Sequence, residues 1–247
     1  MRRVWIMPVV GVALAALIGG CGSGSGGAAS LPPGQAEGGA GSTVAASSGK
    51  LVSGETGFGV SRSDASMGLP DYVWAATMVT NGTPMVTPLT ASFAVYDPAG
   101  SVIGQSSTSA PIMRTGTRMV VGTQVEVPAG AQIGRVVATV SPLENPAEKD
   151  THPNSTFAAV GVHFQGSVAG GSARVLGEVV SHYQQPVHQV YVSIACFNAA
   201  GAIIGGGEHY VDAIGPGQTV GFASDGLIVS GEPARCEAFP TLSGASG

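Results

Sequence analysis

At 247 residues the chain has room for one large or two small domains, and its formal net charge of −5 rests on few groups, because only 10% of residues are Asp, Glu, Lys or Arg. Ten Lys and Arg in all leave no basic stripe to neutralise phosphates, which argues against a nucleic-acid partner. Gly, at 39 residues, points to short strands, tight turns and flexible linkers rather than long helices.

The first element is a leader. Arg2 and Arg3 precede a mostly apolar run from Val4 to Ile18, which is shorter than the roughly 20 residues a membrane-spanning helix needs. Ile18-Gly19-Gly20-Cys21 follows, an apolar residue and two small ones ahead of a cysteine. This segment resembles the signal peptide and lipobox of bacterial lipoproteins. The resemblance implies a leader over residues 1–21, with Ile18, Gly19 and Gly20 in the recognition positions and Cys21 as the lipidated first residue of the mature chain. It departs from the family only in Ile18, where Leu is commoner. It also implies export, with the membrane as partner through the lipid on Cys21 and the protein held on the outer face. Each buried methylene contributes about 0.8 kcal/mol, so several acyl chains hold firmly where one holds marginally. Two other readings fit the same residues: an uncleaved membrane anchor, and a signal peptide cut elsewhere that leaves Cys21 an ordinary thiol.

Residues 22–54 are Gly, Ser, Ala and Pro with almost no large apolar side chains, too little to offset the entropy of ordering them. They read as a flexible tether, with a mean reach of about 30 Å from the membrane.

Beyond the tether the chain repeats itself. Ser92 to Gly104 and Ser193 to Gly205 share six of thirteen positions, and most others exchange like for like. A constant offset of 101 aligns Trp74–Gly116 with Val175–Gly217, while Phe58-Gly59-Val60 and Arg135-Val136-Val137-Ala138 find their partners after one-residue slips. The units run over residues 55–142 and 156–243, and the stretch 143–155, with Pro146, Pro153 and four charges, reads as a linker.

Within each unit the apolar period is two. Val190, Val192, Ile194 and Cys196 alternate with Tyr191, Ser193, Ala195 and Phe197; the first copy places Leu89, Ala91, Phe93 and Val95 on the matching core face. One strand earlier, Val175, Gly177 and Val179 correspond at the same offset to Trp74, Ala76 and Met78, which assigns those three to the core as well. Asp97-Pro98-Ala99-Gly100 has type I turn composition, and Asn198-Ala199-Ala200-Gly201 keeps its outer residues. Gly116 and Gly217 mark a later turn in each copy. About seven short strands per unit with these turns predict an all-β protein, two tandem immunoglobulin-like β-sandwich domains.

Phe93-Ala94-Val95-Tyr96-Asp97 also resembles the signature of the bacterial FxLYD domain, a small β-sandwich module of secreted and lipid-anchored proteins. Phe93, Val95, Tyr96 and Asp97 fill the named positions, Val95 standing where the motif has Leu; the second copy departs further, with Ile194, Cys196, Phe197 and Asn198. The resemblance implies an envelope-exposed module and supplies no catalytic residues.

With Cys21 assigned to lipid, Cys196 and Cys236 remain, at positions that the first copy fills with Val95 and Val136. Outside the cytoplasm such a pair oxidises, which predicts an intradomain disulfide; two buried free thiols packing as small hydrophobes are the other possibility. His182, His188 and His209 lack the spacing of a metal site. Glu208 and Asp212 lie near His209, yet no Gly-x-Ser-x-Gly elbow supplies a nucleophile, and Gly205-Gly206-Gly207 lacks the Lys and helix of a phosphate loop, which leaves a bulge or a close backbone approach as its reading. No cofactor, metal or enzymatic activity is expected. The sequence therefore points to a lipid-anchored, non-catalytic envelope protein that presents its two modules to an envelope protein partner or contributes to envelope structure. The alternative is a ligand- or metal-binding lipoprotein that uses the junction between the sandwiches.

Overall fold

A computed structural model of the chain describes residues 50–143, 148–149, 156–168, 173–224 and 226–243. Their long elements are all strands, as the alternating apolar pattern requires. The first half contributes β1 (Leu51–Ser61), β2 (Asp71–Asn81), β3 (Met85–Tyr96), β4 (Val102–Met113), β5 (Arg118–Val127) and β6 (Arg135–Pro142), with a two-residue β7 (Glu148–Lys149) beside β3. The second half contributes β8 (Phe157–Gln165), β9 (Arg174–Ser181), β10 (Val187–Phe197), β11 (Ile203–Ile214), β12 (Thr219–Ser224), the short β13 (Ile228–Val229) and β14 (Arg235–Leu242). β1 thus begins four residues ahead of Glu55, inside the stretch read as tether, and β7 lies inside the stretch read as linker.

Pairing is antiparallel throughout and equivalent in the two halves. Sheet β1-β2-β5 faces sheet β4-β3-β6, and sheet β8-β9-β12 faces sheet β13-β11-β10-β14, so each half is a two-layer sandwich built on six long strands rather than seven. The first core gathers Val73, Val79, Leu89, Phe93, Val95, Val121 and Val125; the second gathers Val175, Val179, Val190, Val192, Ile194, Val211 and Phe222. Both hairpin turns form as their residues dictate. The Gly100 amide donates to the Asp97 carbonyl and the Gly201 amide to Asn198, both glycines at positive φ, while the side chains of Asp97 and Asn198 accept from the amides of Ser101 and Ala202.

The strand pairings correct the repeat alignment. Val79 stands opposite Met119 where Val179 stands opposite Val220, and the Asn81 and Ser181 amides both bond to the turn before the fifth strand, which makes the offset 100, not 101, through β2 and β9. Leu51 opposite Asn81 and Phe157 opposite Ser181 make it 106 in the first strands, displacing the match of Phe58 to Val160. Repeat two recovers a residue in β10, where Gln189 sits at φ 51. A one-residue shift reverses the face of every side chain in a strand. Trp74, Ala76 and Met78 therefore point out of their own sandwich, and Val73, Ala75 and Val79 fill its core.

Their outward face is nonetheless buried. Trp74, Ala76, Met78 and Val120 pack against Ala195, Phe197 and Ile203, with Ile228 and Phe239 at the margin, forming a third apolar cluster between the sandwiches. The outer face of β1-β2-β5 thus meets the outer face of the unlike sheet, β13-β11-β10-β14. β2 and β10 are covered on both sides, which is why both read as near-continuous apolar runs. Glycines allow the approach: a Cβ at Gly57 would lie 2.3 Å from the Ile203 carbonyl oxygen, and one at Gly59 would lie 2.2 Å from that of Ile228. The Ile203 amide donates to Glu55 Oε1 at 3.0 Å, and the Val60 amide to Ser230 Oγ at 3.0 Å. The two halves thus share a core, a contact that the sequence alone does not reveal.

A charged clamp closes the first sandwich at the far end of β2. The buried Asp71 carboxylate accepts from Arg62 Nη1 at 2.7 Å and from the amides of Ser63 and Gly130 at 2.8 Å each, while Arg62 Nη1 also donates to the Ala131 carbonyl. The Arg62 hydrogen bond, then that of Ser63, holds the carboxyl below its ordinary value of 3.8. A carboxylate depressed on folding stabilises the protein above that ordinary value and ceases to do so as pH falls through the folded one. Asp71→Asn is therefore expected to weaken the protein at neutral pH and to flatten its stability profile below about pH 4 in urea unfolding at stepped pH. A profile unchanged in slope would remove Asp71 from the acid response.

Candidate functional site at the junction of the two sandwiches

The motif residues and the cysteine pair singled out by sequence have local structural roles. Phe93 and Val95 are core, Asp97 holds the hairpin turn, and Tyr96, half-buried on the outer face of β3, lies under Arg135 with the guanidinium carbon 4.4 Å from its ring centroid. Phe197, equivalent to Tyr96, lies under Arg235 at 3.9 Å. Cys196 and Cys236 are direct cross-strand partners on β10 and β14 and form a disulfide; Val95 and Val136 face each other at the same place in the first half. Ile18, Gly19, Gly20 and Cys21 lie outside the described residues.

The glycine run is a close backbone approach. Gly205 sits opposite a register shift at φ 138, its notional Cβ 2.0 Å from the Ile228 carbonyl oxygen, and Gly206 leaves room for the Trp74 indole. No group of three His, Cys, Asp or Glu converges on a metal geometry among the described residues. Tyr191 donates to Glu208 Oε2 at 2.9 Å, and burial followed by the Glu208 charge pushes its phenol far above the ordinary range, so it stays a donor. Asn81, which begins an Asn-Gly-Thr sequon, is fully buried. Its Nδ2 donates to the carbonyls of Met85 and Met113, and its Oδ1 accepts from Thr83.

What sequence reasoning missed lies at the edge of the shared core. A cavity of about 220 Å³ opens there, between the turn preceding β5 in the first half and strands β8 and β14 in the second. Met119, Phe157 and Phe239 supply apolar wall, and Arg114 and Arg118 supply charge. Arg114 Nη1 donates to Tyr183 Oη at 3.1 Å, and the Tyr183 ring packs against Phe157 with centroids 4.7 Å apart. The signal was present: two of the ten Lys and Arg flank the Thr115-Gly116-Thr117 turn in a chain otherwise poor in charge. Only the packing of the halves gives that turn a surface to face.

Among known proteins, no family model matches the chain, and no curated protein matches it significantly. No helix among the described residues is long and apolar enough to cross a membrane.

Proposed function

We propose that this is an exported, lipid-anchored envelope protein, held on the outer face of a bacterial membrane through Cys21, which presents two immunoglobulin-like modules as one non-catalytic body for protein binding or envelope structure. The observation that carries this reading is the Cys196–Cys236 disulfide. Such a bond persists in oxidising compartments and is rare in the cytosol, which agrees with the leader and lipobox independently of either. The FxLYD resemblance points the same way. A fused body with wide sheet faces suits recognition of another surface better than chemistry.

The test is fractionation of the full-length protein beside Cys21→Ala. The wild type is expected in the membrane fraction with the mass of a multiply acylated cysteine, and the variant in the soluble exported fraction. A variant that stays membrane-bound, or a wild type without acyl mass, would overturn the anchor. The cavity between the halves favours a second reading, a ligand-binding lipoprotein, since small-molecule sites concentrate at domain junctions.

A further inference from the structure

The geometry points to a specific class of occupant for the junction cavity: a small carboxylate with an apolar body. This rests on the ligand-binding reading and narrows it. The volume, about 220 Å³, falls below the roughly 300–1,000 Å³ of drug-sized sites, so the fitting ligand is a small metabolite and not a lipid or a peptide. Phe157, Met119 and Phe239 offer a surface that rewards burial of an apolar group.

The charges on the described lining are of one sign. Arg114 and Arg118 both line the cavity, and no Asp or Glu stands among its described lining residues, in a chain whose net charge is −5. Arg118 stands on the outward face of β5, two residues before Val120 of the shared core, and its side chain makes no hydrogen bond or ion pair among the described residues. Arg114 is steadied from the second half, its guanidinium bonded to Tyr183 and 6.0 Å from that ring's centroid. A guanidinium presents a planar fork of donors that matches a carboxylate, and the exposed Arg118 is accessible to one. Recognition needs both sandwiches, because the arginines come from one and Phe157, Tyr183 and Phe239 from the other.

The experiment titrates the full-length protein in detergent with benzoate, benzyl alcohol and benzylamine at low ionic strength, following aromatic NMR resonances of Phe157 and Tyr183. Benzoate is expected to shift them saturably, to weaken with added salt, and to bind roughly tenfold more weakly to Arg118→Gln, whose folding circular dichroism verifies. Arg118→Lys is expected to retain part of the affinity. Benzyl alcohol binding as tightly as benzoate, or benzoate binding unchanged in Arg118→Gln, would overturn the carboxylate assignment and leave the cavity a ligand site. Silence of these resonances towards all three probes would overturn the site together with the ligand-binding reading.

Discussion

Replacing Cys196 and Cys236 together by alanine is expected to lower the unfolding free energy by more than about 4 kcal/mol, the chain-entropy value for a closed loop of this length, because the lost side-chain volume adds to it. The two cysteines are 40 residues apart in sequence and directly opposed across β10 and β14, so the bond restrains the unfolded chain without redirecting either strand. The duplication supplies its own control. Because Val95 and Val136 occupy the same pair of positions, Cys196→Val with Cys236→Val restores packing while leaving the loop open, and should fall between the alanine pair and the wild type. Guanidinium unfolding of the three proteins measures the separation. A valine pair as stable as the wild type would mean that the crosslink adds nothing beyond the volume of its side chains.

Trp74→Ala is expected to cost about 3–5 kcal/mol, as large as any core truncation, although sequence alignment assigned the residue to a different core. The indole fills a slot between Gly122 of its own sheet and Gly206 of the other half, where a notional Cβ at either glycine lies within 3.0 Å of the ring nitrogen. Emptying the slot removes the largest side chain joining the halves, so denaturant unfolding should lose cooperativity and separate into two transitions. Trp74→Phe should behave differently. Trp74 Nε1 is buried with no hydrogen-bond partner, a defect worth about 1–3 kcal/mol, and a phenyl ring removes the orphan donor together with some contact area. The net change is expected to stay within about 1 kcal/mol. A Trp74→Ala protein of unaltered stability would mean that the contact between the sandwiches contributes nothing to the fold.

The strand period, both hairpin turns and the cysteine pairing were legible because each depends on residues close in sequence or on the parity of one strand. Val190, Val192 and Ile194 name their face unaided, and Asp97 with Gly100 names the turn. The faces of Trp74, Ala76 and Met78 were not legible. An ungapped alignment carried the register of β10 back across Gln189, and a single residue there reverses a strand. Nor could alternation alone explain why Tyr191, Ala195 and Phe197 are buried, since a strand covered on both sides loses its polar half. Arg114, Arg118 and Tyr183 escaped for a related reason: they become neighbours only through the contact between halves.

That contact has unlike surfaces on its two sides, and a joint of this kind has no natural end: each added unit offers the same free surface again, as in a filament. Here the two terminal surfaces are spoiled by substitution. Arg174, Leu176 and Glu178 stand where the first unit has Trp74, Ala76 and Met78, and exposed Gln105 projects where the second unit has Gly206. A third unit would strand a guanidinium and a carboxylate in an apolar seam and press an amide against the ring it should admit. Array length is thus written into three polar side chains, as polar capping repeats end a solenoid.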